Sequence, residues 1–207
     1  MKNASPVRQH SEYRLSVTAD ISSKQGNPCP LPDTLQTFSR GKAMIAIAAV
    51  DENWGIGYQG QLLISLPEDQ KGVFRKYTSG HTVVYGRKTL ETFKDQKLLP
   101  NRTNIIMSRN YDFKKEGAVI MHSAAELEDY LRMADTDEVY LIGGASLYNS
   151  LIDLCDRAII TYIHKTFTAD AYFPNLDERY GWGLIEEEAP VMSAKGVEFS
   201  VRHYEKI

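Results

Sequence analysis

The 207-residue chain has only two cysteines, Cys29 and Cys155. They lie far apart and show no metal-ligand spacing, which excludes a disulfide-stapled scaffold and a structural zinc site and fits a reducing compartment. No apolar run approaches the roughly 20 residues that a membrane-spanning helix needs. Positive charge is not in excess: a net charge of −3 offers nothing to attract nucleic acid or an anionic membrane. The five histidines (His10, His81, His122, His164 and His203) include no i, i+4 pair for a metal. Neither a G-x-S-x-G elbow nor a Walker A loop occurs. What is present, 43% hydrophobic and 25% charged residues, is the composition of a soluble, cytoplasmic globular protein with one full core.

Residues 1–43 differ from the rest. They hold four of the eight prolines, Pro6, Pro28, Pro30 and Pro32, and carry +3 against −6 for residues 44–207. Only Tyr13 to Thr18 reads as a short strand, and no apolar signal region is present. The expectation is a weakly structured N-terminal extension, or the product of a start upstream of Met44, preceding a catalytic domain over 44–207.

From Met44 the pattern changes. Met44 to Val50 is a continuous apolar run, as expected of a strand covered on both faces. Thr82–Tyr85, Thr103–Met107, Ala118–Met121, Val139–Ile142 and Ala158–Ile163 read as further buried strands. Helices are expected after Gly86, after Ser123 and after Gly144. Near the C-terminus Val197, Phe199 and Val201 alternate with polar residues, which suggests an antiparallel edge strand. Strands alternating with helices imply an α/β fold with a central, mainly parallel sheet.

Ser65-Leu66-Pro67-Glu68-Asp69 reads as a helix start with a Ser-x-x-Glu capping box, in which Pro67 costs little. Adjacent carboxylates on a helix point about 100° apart. If one faces solvent, the other faces the interior, where it needs a partner or a changed pKa. Asp69 is therefore a candidate for proton chemistry, although acids also favour first turns through the helix dipole.

Gly55-Ile56-Gly57-Tyr58-Gln59-Gly60 matches G-x-G-x-x-G in letters. It does not run from a strand into a helix, so a dinucleotide fingerprint is rejected in favour of a glycine-bearing loop over a pocket. Gly86-Arg87-Lys88-Thr89 places two cations and a hydroxyl between a strand end and a helix start, suited to phosphate, and Ser108-Arg109 repeats the theme at the next strand end. Gly143-Gly144-Ala145-Ser146 lets backbone N–H groups approach a pyrophosphate, or simply makes a tight turn. Arg102 could clamp a carboxylate or remain a surface charge. A phosphorylated cofactor beside an acidic substrate accounts for the set.

Taken in order, Ile47-Ala48-Ala49, Gly55-Ile56-Gly57, Leu66-Pro67-Glu68-Asp69, Gly86-Arg87-Lys88-Thr89, Asn101 to Ile106, Ile142-Gly143-Gly144 and Asp170 to Pro174 resemble dihydrofolate reductases over residues 44–207. The resemblance implies reduction of 7,8-dihydrofolate to tetrahydrofolate with NADPH, as a monomer and an antifolate target. It casts Asp69 as the acid and Thr161 as its support. Ile47, Ala48, Ile64, Val73, Phe74, Phe93, Leu99, Arg102 and Ile142 join Asp69 around the substrate, with Arg102 on its glutamate carboxylate. The cofactor would meet Ala49, Ile56, Gly57, Gly86, Arg87, Lys88, Thr89, Ser108, Arg109, Gly143, Gly144, Ala145, Ser146, Leu147 and Tyr148, with Arg87, Ser108 and Arg109 on its 2′-phosphate.

Three departures from the family pattern stand out. Ile64 replaces a usual tryptophan, Ala145 replaces a common glycine, and the stretch from Asp69 to Thr78 is one residue longer, leaving open whether Val73 or Phe74 faces the substrate. A pyrimidine reductase of riboflavin synthesis is the near alternative, and Asp69 with Arg102 argues against it. A catalytically silent NADPH-binding protein is the alternative from another class.

Overall fold

A computed structural model describes residues 44–133 and 138–207; the expectations for residues 1–43, including the strand at 13–18, lie outside the described residues. Strands β1 (Met44–Val50), β4 (Thr82–Gly86), β5 (Thr103–Met107), β6 (Ala118–Met121), β7 (Val139–Gly143) and β8 (Cys155–Ile163) lie where the apolar runs placed them. They form the parallel part of a nine-stranded sheet in the order β8-β1-β7-β4-β5-β6. Beyond β8 the sheet turns antiparallel: β12 (Glu198–Lys206) pairs with β8, β10 (Trp182–Glu187) lies outside β12, and β11 (Val191–Met192) pairs with the start of β12.

The lack of alternation in β1 follows from burial on both faces. Met44 and Ala46 pack into one apolar layer with Val84, Ile105, Leu141 and Ile160, while Ile45 and Ile47 pack into the opposite one with Val83, Tyr85, Ile106 and Tyr140. Each fully buried aliphatic side chain contributes about 1.5–3 kcal/mol of burial free energy.

Helices α2 (Arg87–Thr92), α3 (Ala124–Met133) and α4 (Ala145–Leu151) follow β4, β6 and β7. The Ser123 start holds: its hydroxyl accepts the Glu126 N–H at 3.2 Å. The Ser65 start differs. The Ser65 hydroxyl accepts from the Gln70 side chain at 3.0 Å, and Glu68 reaches away to accept the Ala194 N–H at 2.7 Å. Residues Asp69–Phe74 then form a π-helical turn, with the Arg75 N–H bonded to the Gln70 carbonyl, before α1 (Arg75–Thr78). A π turn absorbs one extra residue inside a helix, which is how the longer stretch between Asp69 and Thr78 is accommodated.

The glycine-bearing loop after β1 is itself strand. β2 (Gly55–Tyr58) pairs antiparallel with β3 (Gln61–Leu62) and with β9 (Ala171–Tyr172) in a small second sheet. Gly55 is required there, because a Cβ would lie 2.7 Å from the Ala169 Cβ.

Candidate active site

All the parallel strands end on one side of the sheet, where ligands of open α/β sheets sit; Arg87, Lys88, Ser108, Arg109 and Gly144 lie at those ends, whereas Leu99 and Arg102 precede β5 at its opposite end. Asp69 opens the π turn and points at β8. The Thr161 hydroxyl, on a residue 1% exposed, donates to Asp69 Oδ1 at 2.5 Å. Burial pushes the Asp69 carboxyl above its ordinary range, and the Thr161 bond pulls it partly back. Its neighbour has the opposite environment. The Ala194 N–H holds Glu68 below the usual carboxylate range, and Glu68 Oε2 is buried without a partner. Two adjacent acids are thus set apart, one raised by burial and one fixed as a tether between the helix start and the β11–β12 hairpin.

Ile47, Val73, Phe74, Phe93, Leu99 and Ile142 converge in one apolar cluster beside Asp69. Val73 is 9% exposed and belongs to the interior of that cluster, while Phe74 is half-buried against it, with the Arg102 guanidinium 5.8 Å from its ring centre. Of the two, Val73 is thus the more buried and Phe74 the one beside Arg102. Ile64 packs elsewhere, with Leu66, Ile163 and Phe199 and near Ala49. Ala48 lies on the other face of β1 from Ile47, with Ile56, Leu147 and Tyr148.

Arg102 is held rather than loose. Its Nε donates to Thr78 Oγ1 at 2.9 Å, one terminal nitrogen to the Pro100 carbonyl at 2.7 Å and the other to Ser79 Oγ at 3.2 Å. The loop that carries it hangs on Asn104, a buried polar residue inside β5 that sequence reasoning passed over. The Asn104 amide donates to the Leu99 and Arg102 carbonyls and accepts from the Leu99 N–H and the Tyr85 hydroxyl. A polar residue in the apolar run Thr103–Met107 was the available signal. Asp51 was passed over as well. Fully buried, it accepts from the N–H groups of Asn53, Gly55 and Phe167 and so ties the turn before β2 to the segment before β9.

The strand ends on the far side of β1 suit a phosphorylated dinucleotide. Gly86 and Gly144 cap α2 and α4 with no side-chain bond to the first turn, so those backbone donors stay open to an anion. The two loops converge closely enough that a Cβ on Gly144 would lie 3.3 Å from Thr89 Oγ1, and one on Gly143, at φ +110°, 3.0 Å from the Tyr148 ring. Lys88 and Arg109 are exposed, as is Ser146, while Ala145 is half-buried. Arg87 is paired with Glu91 at 2.5 Å on its own helix. Ser108 is buried, and its hydroxyl accepts the Asn110 N–H at 3.2 Å, so it shapes its turn. Tyr148 is buried too. Its hydroxyl donates to the Ile47 carbonyl at 2.6 Å, so it acts by fixing β1. Gly57 lies in β2, and the Asp170 carboxylate accepts the Gln59 N–H at 2.9 Å just beyond it.

The sequence model of the dihydrofolate reductase family matches residues 43–206. The chain belongs to the dihydrofolate reductase family. It is 35% identical to the dihydrofolate reductase of Bacillus subtilis over 161 residues, covering 77% of this chain and 92% of that protein. It is 36% identical to a dihydrofolate reductase of Neisseria meningitidis over 159 residues, covering 76% of this chain and 94% of that one. Among solved structures, the dihydrofolate reductase of Enterococcus faecalis complexed with NADP(H) and RAB-propyl superposes with a TM-score of 0.71 at 32% identity, over 81% of this chain and 97% of that chain. The dihydrofolate reductase fold accounts for the mixed sheet and its antiparallel C-terminal edge. No helix among the described residues is long and apolar enough to cross a membrane.

Proposed function

We propose that residues 44–207 reduce 7,8-dihydrofolate to tetrahydrofolate with NADPH, with Asp69 as the proton-handling acid. The observation that carries this reading is the Asp69–Thr161 pair, half-buried at Asp69, beside an apolar cluster whose edge residue Phe74 meets a fixed arginine, Arg102.

The chemistry asks for both ends. Hydride adds readily to the carbon of a C=N bond only when the nitrogen carries a proton. Asp69, with its carboxyl raised by burial, is suited to hydrogen-bonding the amino-imine edge of a pterin and to holding the proton that the ring nitrogen needs. Thr161 orients the carboxylate and stabilises its charged form. Ile47, Val73, Phe74 and Ile142 present apolar surface to the ring and keep water from it. Arg102, oriented by its bonds to Thr78, Pro100 and Ser79, keeps one N–H on each terminal nitrogen for a carboxylate of the substrate's glutamate tail.

The residues at the strand ends fit NADPH: close glycine loops between Thr89 and Gly144, uncapped first turns at α2 and α4, and the cations Arg87, Lys88 and Arg109. When bound, NADPH supplies the hydride. Arg87 and Arg109 would meet its 2′-phosphate, and Lys88, Thr89 and the N–H groups of Gly144 to Ser146 its pyrophosphate, which accounts for a preference over NADH. Gly57 and Ile56, on the small sheet beside β9, would cover the nicotinamide. The protein is read as a cytoplasmic monomer that binds neither nucleic acid nor membrane, and antifolates that mimic the pterin edge would compete at Asp69.

Loss of NADPH absorbance with purified protein tests the reading. Turnover that depends on added dihydrofolate is expected; cofactor binding without any such turnover would leave the catalytically silent alternative standing.

A further inference from the structure

Glu68 is bound to a part of the chain remote from its own helix. Its Oε1 accepts the Ala194 N–H at 2.7 Å, 126 residues away in sequence, and its Oε2 is enclosed without a partner. A local capping box would have satisfied the same carboxylate at the Ser65 N–H. Leaving a charged oxygen enclosed and unpaired carries a cost that helix capping does not explain. The cations near the carboxylate are Lys71 in the π turn and Lys195, next to Ala194.

The hairpin that supplies the donor is firmly built. The Ser193 N–H donates to the Val197 carbonyl at 2.9 Å, the Ser193 hydroxyl accepts the Val197 N–H at 3.2 Å, and the Gly196 N–H donates to the Ser193 carbonyl at 2.9 Å. Val191 and Met192 pair with Phe199 and Glu198. Further along β12, Val201 pairs with Thr161 on β8, and Phe199 with Ile163. Val197, Phe199 and Ile163 also enclose Leu66, which is 2% exposed. The contacts therefore close a ring. It runs from Asp69 to Thr161, across to Val201, along β12 to Val197, through the turn to Ala194 and back to Glu68. Glu68 and Asp69 share one planar peptide, so fixing the first limits where the second can point.

We propose that Glu68 is a positioning residue for Asp69: its tether to the β11–β12 hairpin holds the start of the π turn where Asp69 meets Thr161. The proposal rests on the reading of Asp69 as the acid and adds to it a residue that acts only through Asp69. Thr161 aims the carboxylate, and Glu68 keeps it within reach of Thr161. Without the tether, Leu66 alone anchors the entry to the π turn, and the Thr161 bond loosens. What matters in Glu68 is the acceptor oxygen and not the negative charge.

Carboxyl NMR of the free protein follows Asp69 with no turnover involved, and steady-state kinetics follow its use. In Glu68→Ala, below the melting transition, the Asp69 carboxyl should titrate higher than in wild type, because the bond that opposes burial is weakened. The kcat for dihydrofolate should fall about tenfold, with KM for NADPH unchanged. Glu68→Gln, whose side-chain oxygen still accepts the Ala194 N–H, should restore both. Ser193→Ala, which loosens the hairpin and leaves Glu68 in place, should shift Asp69 the same way by less. In a Thr161→Val background, Glu68→Ala should cost no more than about twofold, since the two act on one bond. An Asp69 titration unmoved or lowered in Glu68→Ala would overturn the proposal and make Glu68 a surface staple. So would equal losses in Glu68→Gln and Glu68→Ala, or full additivity with Thr161→Val. Wild type without dihydrofolate-dependent turnover would end the proposed function, while the Asp69 titration still decides whether Glu68 positions it.

Discussion

Thr161, near the C-terminal end of β8, donates its hydroxyl to Asp69 Oδ1 across 92 residues of sequence. That single bond joins the π turn to the sheet and opposes the effect of burial on the same carboxyl. Thr161→Val keeps the shape and removes the donor. It should cost about 1 kcal/mol of stability and move the Asp69-linked limb of the pH–rate profile to higher pH, because burial then acts unopposed. An unmoved profile would mean that the bond is structural only.

Asp69 should weaken the fold it serves. Its folded-state pKa is raised, so the native protein binds more protons than the unfolded chain between the two values. Stability from this group is therefore lost as pH rises through that window and is lowest above it. Asp69→Asn, which still accepts from Thr161, should raise the melting temperature at neutral pH and bring it level with wild type in acid. Calorimetry at the two pH values measures this, and a lower melting temperature at neutral pH would contradict it.

Asn104 satisfies four backbone and hydroxyl groups around the Arg102 loop. Asn104→Ala leaves them unpaired in a buried site and should cost roughly 2–4 kcal/mol. Because the loop carries Arg102, KM for dihydrofolate should rise more than kcat falls. Steady-state kinetics below the melting transition separate the two effects.

Gly72 lies in the π turn, where an added Cβ meets nothing within 4 Å. Gly72→Ala should stabilise the protein by about 0.5–1 kcal/mol through the unfolded chain and helix propensity, read from denaturant midpoints. Gly143→Ala provides the contrast: at φ +110° and 3.0 Å from the Tyr148 ring, it should destabilise by more than Gly72→Ala stabilises.

The parallel strands were legible because burial on both faces leaves unbroken apolar runs, as in Met44–Val50, and the cation-bearing strand ends followed from them. β10 was not, since its Leu184 and Ile185 are exposed and only Trp182 is buried at its start. The π turn left only a length signal, the extra residue between Asp69 and Thr78. The Ser65 box misled because a tertiary partner, the Ala194 N–H, takes the glutamate that local pairing would have used. Asp51 was missed because its Phe167 partner lies 116 residues away, and Asn104 left only the mark of one polar residue in an apolar run.

On the proposed reading, Asp69 manages the proton that hydride addition requires. Rates of dihydrofolate turnover by Asp69→Asn and wild type, compared from acid to alkaline pH, test it most directly. The expected result is a loss of about 10²–10⁴-fold near neutrality that shrinks steadily in acid, where substrate arrives already protonated. A loss of the same size at every pH would contradict it.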